Sequence, residues 1–309
     1  MKRRALPILS AAILAAALAG CTSGTSPSPS TSAAAPAASP APPEVTAMPT
    51  PAGSRDLILA TTTSTQDSGL LDVLVPAFEK ARGYVVKTVA VGSGQALKMG
   101  EEGNADVLLV HSPAAEKTFV ETGAGIDRQL VMHNFFIVVG PPADAAKIKG
   151  DAVVVDAFTK IANAAATFVS RGDGSGTETK ELGYWKKAGI TPAEPWYIQS
   201  GQGMGATLRI ASEKAGYTLV DNATWAALRT GLDLEALVTD DPTLINPYHV
   251  IRVNPETWPK VNEEGAKAFA AYVLSPEGQA LIGAYGQEQY DMQLFVPDAG
   301  KTEDDLKAP

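Results

Sequence analysis

Four turns constrain this chain more than any other feature. Thr61-Thr62-Thr63-Ser64, Gly92-Ser93-Gly94, Arg171-Gly172-Asp173-Gly174-Ser175-Gly176-Thr177 and Gly201-Gln202-Gly203-Met204-Gly205 each separate a short apolar run from a stretch with helical spacing. Repeated strand-to-helix passages of this kind predict an α/β fold. Glycine bares the backbone N–H groups in three of the turns, and Ser or Thr adds hydroxyl donors in three. Each turn feeds a helix N-terminus, where unpaired amides and the positive dipole end favour an anion. In open α/β sheets such turns lie at the carboxyl ends of the strands, where ligands bind.

The remaining pattern gives the frame. Strands are expected at Leu57–Ala60, Val85–Val91 and Asp106–Val110, with helices over "LLDVLVPAFEKARG", "QALKMGEEG" and Ala114–Glu121. In the first helix Pro76 predicts a kink and Gly83 a stop. "HNFFIVVGPP" (133–142) and "NPYHVIRVNP" (246–255) form a matched β-rich pair framed by Asn or Pro, read as two strands crossing between lobes. Between them a second α/β unit is expected, with strands in "ATFVSR", "WYIQS" and "GYTLVD" and helices over Glu178–Ala188 and from Ala206. Two helical patterns, "NEEGAKAFAAYVLS" and "PEGQALIGAYG", close the chain. The expected organisation is one lobe from 55–138 and 247–309 and a second from 139–246.

The N-terminus speaks to compartment. Lys2, Arg3 and Arg4 precede an apolar run too short to span a membrane comfortably, which reads as a signal peptide over 1–20. Its end, Leu18-Ala19-Gly20-Cys21, resembles the bacterial lipobox, which implies lipidation of Cys21, the chain's one cysteine. Residues 21–54 are mostly Ser, Thr, Ala and Pro and cannot bury a core, so they read as a tether. The expectation is an extracytoplasmic protein anchored to the cell membrane by lipid. Net charge is −9, and loss of residues 1–20 removes three positive charges and no acid, taking it to −12. Nucleic acid demands a basic footprint and is excluded as a partner. A pocket's own donors, not long-range charge, decide what it holds, so an anionic ligand stays open.

Enzyme chemistry finds little support. The three histidines, His111, His133 and His249, have no metal-ligand spacing, so no protein-bound metal is expected. His133 and His249 fall in the crossing strands and read as structural. Neither a G-x-S-x-G elbow nor a phosphate-binding P-loop motif occurs. An exported hydrolase using Ser64 or Ser175 would need a base that the sequence does not reveal. Arg171-Gly172-Asp173 spells an adhesion tripeptide, which requires an exposed turn. Each anion-binding turn also has a plainer reading: Ser64-x-x-Asp67 and Ser175-x-x-Glu178 both fit a capping box. Arg171 suits a two-pronged grip on an oxyanion, or equally reads as a surface or lobe-bracing arginine paired with Asp173. A fully ionised oxyanion wants donors only, whereas one that keeps a proton also wants a carboxylate acceptor.

"ATTTSTQDSGLL", "VAVGSGQALKMGEEGNADVLLVHSP", "FVSRGDGSGTETKELGYWKKAGI", "GQGMGATLRIASEKAGYTLVD" and "LSPEGQALIGAYG" together resemble the tungstate-binding proteins of bacterial ABC importers. The resemblance spans about Leu57 to the C-terminal helices. It implies a type II periplasmic-binding-protein fold, two α/β lobes joined by two crossing hinge strands with one oxyanion between them. It also implies no cofactor and no reaction, a monomer that binds a small oxyanion, tungstate or the similarly sized and charged molybdate, and hands it to a membrane ABC permease. Position by position, it implies donors at Thr62, Thr63, Ser64, Ser93, Arg171, Ser175, Gly176 and Thr177. Gly203 and Met204 line the cleft in this reading, and Asp106 and Asp173 orient their neighbours. Glu178 stands where the family more often has His, which leaves two options: a cap turned away from the cleft, or an altered ligand preference. Phosphate or sulfate is the alternative ligand.

Overall fold

In the computed structural model residues 53–306 are described. Cys21, residues 1–20 and nearly all of the 21–54 segment therefore lie outside the described residues. The first lobe opens with β1 (Asp56–Thr62), the short α1 (Thr63–Asp67), α2 (Leu71–Arg82), β2 (Val85–Val91), α3 (Ser93–Glu101), β3 (Val107–Val110) and α4 (Pro113–Glu121). The long β4 (Gly125–Gly140) leads to α5 (Val154–Asn163), β5 (Phe168–Ser170), α6 (Gly176–Lys187) and β6 (Tyr197–Gln199). There follow α7 (Met204–Glu213), β7 (Thr218–Asp221), α8 (Asn222–Leu228) and β8 (Glu235–Val238). The return strand β9 (Ile245–Val253) precedes α9 (Glu263–Val273), α10 (Pro276–Ala284), α11 (Gln287–Tyr290) and β10 (Val296–Pro297).

Alternation along the strands explains the layering. In β1 and β3, Leu57, Leu59, Val107 and Leu109 face one apolar cluster, with Leu74 and Phe78 of α2 and Phe269 of α9. Their neighbours Ala60, Leu108 and Val110 face another, with Ala96 of α3 and Phe119 of α4. Strands apolar on both faces need helices on both, which is the condition of parallel sheets. Accordingly β1 lies parallel to both β2 and β3. The far end of β4 repeats the logic. Phe136 and Val138 pack with Phe158 and Trp185, while Ile137 and Val139 pack with Met204, Leu208 and Val220.

Two strands cross between the lobes. β4 pairs antiparallel with β9 from Gly125↔Val253 to Phe135↔Ile245, then continues from Phe136 to pair with β7 and β8 of the second lobe. β9 returns and pairs with β3. The sequence places the crossing strands at 133–142 and 246–255, so β4 starts eight residues earlier than expected. Asp127, at φ +53°, sits where the β4–β9 register shifts, and this bulge interrupts the alternation by which strands are read. Pro76 lies inside α2 with no break in the helix, and Gly83 ends it at φ +75°. α5, α8 and β8 are elements that the sequence reading leaves unassigned. Among the described residues no helix is long and apolar enough to cross a membrane.

Candidate functional site

The four turns follow the carboxyl ends of β1, β2, β5 and β6 and meet one another. Close approach is what their glycines allow. A Cβ on Gly92 would stand 3.2 Å from the Asp173 carbonyl oxygen, and one on Gly94 3.1 Å from that of Gly174. On Gly176 it would stand 2.9 Å from the His111 carbonyl oxygen, and on Gly203 3.2 Å from Thr63. Gly176 N–H donates to Ser93 Oγ at 3.3 Å, joining the α6 and α3 termini directly.

Arg171 is the charged member, and only 1% of it is exposed. Its Nη1 donates to Ser64 Oγ (3.2 Å) and its Nη2 to Thr63 Oγ1 (2.9 Å) and to the Asp173 carboxylate. Asp173 also accepts from Ser175 N–H, so its carboxylate orients its neighbours. Two buried donors of the site lack partners among the described residues: Arg171 Nε and Thr177 Oγ1.

The hydroxyl protons complete the picture. Thr63, Ser64, Ser93 and Ser175 each use the side-chain oxygen as an acceptor, from Arg171, Arg171, Gly176 N–H and Glu178 N–H respectively. Each keeps its own O–H to give, and Thr177 makes a fifth. Carboxylate oxygens that could accept a ligand's proton are few, since Asp173 is already engaged by two donors. The site is rich in donors and poor in acceptors.

Thr62 differs from the donor that the resemblance implies. Its Oγ1 is the N-cap of α1, accepting from Thr65 N–H at 3.1 Å, and it lies 2.9 Å from His111 Nε2. Burial, reinforced by the Arg171 charge and opposed by the Asn246 bond, lowers the His111 pKa to about 4. The imidazole is therefore neutral, and its Nδ1 faces Asn246 Oδ1 at 3.1 Å. Nδ1 must carry the proton, Nε2 must accept, and the Thr62 hydroxyl spends its proton on His111. Asn246 in β9 donates in turn to Asn134 in β4 (2.7 Å), and Asn134 to Asp221 (3.1 Å). This polar chain crosses both hinge strands beneath the site. Sequence reasoning misses it; the one signal is the Asn at the start of each expected crossing strand. His133 and His249 hold carboxylates, Asp298 at 2.6 Å and Glu116 at 2.9 Å.

Further expectations change. Ser64 does not cap α1, because Thr62 does, which frees Ser64 for Arg171. Met204 belongs to an apolar core with Leu208 and Val220 instead of lining the cleft, and Gly203 alone presses on Thr63. Asp106 accepts from Ile58 and Asn262 N–H and braces the opposite end of β1. Glu178 takes the first of its two options. Its N–H donates to Ser175 Oγ, the N-cap of α6, and its carboxylate folds back onto Gly174 N–H. Burial of Arg171 also removes the exposed turn that an adhesion tripeptide requires. Among the described residues neither Ser64 nor Ser175 has a histidine or carboxylate bonded to its hydroxyl.

Residues 30–277 match the family described as a PBP superfamily domain. The tungstate-binding protein TupA of Peptoclostridium acidaminophilum is 50% identical over 247 residues, 79% of this chain and 86% of that one. The crystal structure of the tungstate ABC transporter from Geobacter sulfurreducens shares 46% identity with a TM-score of 0.70, covering 74% of this chain and 98% of that one. The tungstate-binding protein TupA of Desulfovibrio alaskensis G20 shares 45% identity with a TM-score of 0.65, over 79% and 99% of the two chains. Two lobes joined by crossing strands, with this identity along almost the whole length of its relatives, show that the chain belongs to the PBP superfamily and, within it, to the family of the TupA proteins.

Proposed function

We propose that the protein captures tungstate, with molybdate as its near equivalent, between its two lobes and delivers it to an ABC permease outside the cytoplasm. The observation that carries this reading is the donor-rich, acceptor-poor site: five hydroxyls with uncommitted protons and the unpartnered Nε of a buried arginine. A dianion with four acceptor oxygens and no proton suits such a set, whereas hydrogen phosphate would bring a donor to a site whose Asp173 carboxylate is already engaged by Arg171 and Ser175 N–H. The names of the relatives choose tungstate among the fully ionised oxyanions.

In this reading Thr63, Ser64, Ser93, Arg171, Ser175, Gly176 and Thr177 hold the anion, and Thr62 holds α1 in place through His111. Binding involves no reaction; fixed dipoles replace the anion's hydration. Residues 55–138 with 247–309 and residues 139–246 are the moving bodies, and lipidated Cys21 with its tether keeps them near the permease. Isothermal titration with tungstate, molybdate, sulfate and phosphate tests the reading. Tight tungstate and molybdate binding is expected, and phosphate binding without a tungstate response would overturn it.

A further inference from the structure

Asp67 is out of place by the rules of its own helix. It is the last residue of α1, where the carbonyl end of the dipole disfavours a carboxylate. A capping box with Ser64 would turn its side chain back along α1. Instead, Asp67 Oδ2 accepts from Gly205 N–H at 3.0 Å, across 138 residues of chain and from the opposite lobe. Gly205 is the second residue of α7, a ten-residue helix whose N-cap, Gly203, offers no side chain. The amides of a first turn need outside acceptors. Asp67 supplies the acceptor that a Ser or Asp at position 203 would have given, and adds a negative charge at the positive end of α7. Gly205 makes room for it: a Cβ there would stand 3.1 Å from Asp67 Oδ2 and 2.9 Å from Leu228 Cδ1. The glycine-rich turn before α7 is thus a dock for α1, its terminus already taken by the protein's own carboxylate.

We propose that Asp67 is a positioning residue that latches the lobes and sets how slowly the oxyanion leaves. The proposal rests on the oxyanion-capture reading, since a ligand held between lobes escapes only when they part. Parting breaks the charge-assisted bond and leaves α7 uncapped; ligand-free lobes make the bond whenever they close, and a bound anion keeps them closed. The latch therefore acts on the rate of release more than on the rate of capture.

The test compares wild type with Asp67→Ala, Asp67→Asn and Gly205→Ala by stopped-flow fluorescence with tungstate and by hydrogen exchange without ligand. For Asp67→Ala the expected result is at least tenfold faster release, with the association rate within about twofold. Asp67→Asn should lie between, because its amide oxygen still accepts. Gly205→Ala should also release faster even though alanine is the better helix former, because its Cβ crowds the Asp67 carboxylate. In ligand-free protein, exchange at the start of α7 should rise in Asp67→Ala. Unchanged release in Asp67→Ala, with wild type binding tungstate normally, would overturn the latch. So would unchanged exchange at the start of α7, a measurement that holds even if wild type binds no tungstate and the functional reading itself fails.

Discussion

Arg171 Nη1 reaches Ser64 Oγ at 3.2 Å, joining residues 107 apart in sequence and lying in different lobes. The pair brings the one buried guanidinium of the site against the start of α1, and it leaves Nε and the Ser64 proton unspent. A charged donor so placed ties the two lobes together.

Arg171→Ala should weaken tungstate binding by about 1.5–3 kcal/mol or more, the scale of a charged hydrogen bond, because it also leaves Asp173 unpaired beside the anion. Arg171→Lys should recover only part, since a point charge cannot replace the planar fork. Titration calorimetry reads both, and unchanged affinity in Arg171→Ala would remove Arg171 from the site.

Thr177→Val separates ligand binding from stability. Thr177 Oγ1 is buried without a partner among the described residues, so removing it should leave the ligand-free protein as stable or more stable in thermal melts. Tungstate affinity should fall by about 1 kcal/mol or more as one donor is lost. Loss of stability with unchanged affinity would contradict the assignment.

His111 gives a pH signature. Its folded pKa of about 4 lies below the ordinary 6.5, so the unfolded chain binds more protons between the two values. Its contribution to stability is full above about pH 6.5 and is lost as pH falls towards 4, roughly 3 kcal/mol across that window. Chemical denaturation of wild type and His111→Asn at several pH values checks this: the difference between them should shrink as pH falls. Burial instead raises the Glu181 pKa to about 7, opposed by its bonds from Ser170, Tyr197 and Trp185, so its effect runs the other way. The comparison with the His111 variant isolates the histidine.

Glu178→His should fold and should change tungstate affinity by less than about threefold, because the Glu178 carboxylate caps Gly174 N–H and makes no contact with the unspent donors. The loss of that cap should cost about 0.5–2 kcal/mol in melts. A sharp tightening of tungstate binding would show that Glu178 reaches the ligand.

Local order decided what was legible. Leu57, Leu59, Val107 and Leu109 announce strands because their neighbours are apolar as well, and Gly83 stops α2 through backbone geometry alone. The four strand-to-helix turns were readable for the same reason, as was the Ser175 cap. The bulge at Asp127 was not, because its cause is pairing with a strand more than a hundred residues away.

By itself, then, the sequence determined the α/β alternation, the two crossing strands and the chemistry of the turns, all of which rest on contacts within a few residues. Only the tertiary structure decided which hydroxyls keep a proton to give. Thr62 and Ser64 are two residues apart and chemically alike, yet one meets His111 and the other Arg171. Likewise Asp67 could cap its own helix or another's, and the packing of α1 on α7 chose the latter. A hydrogen bond is assigned by the partner that arrives, and those partners come from the far side of the chain.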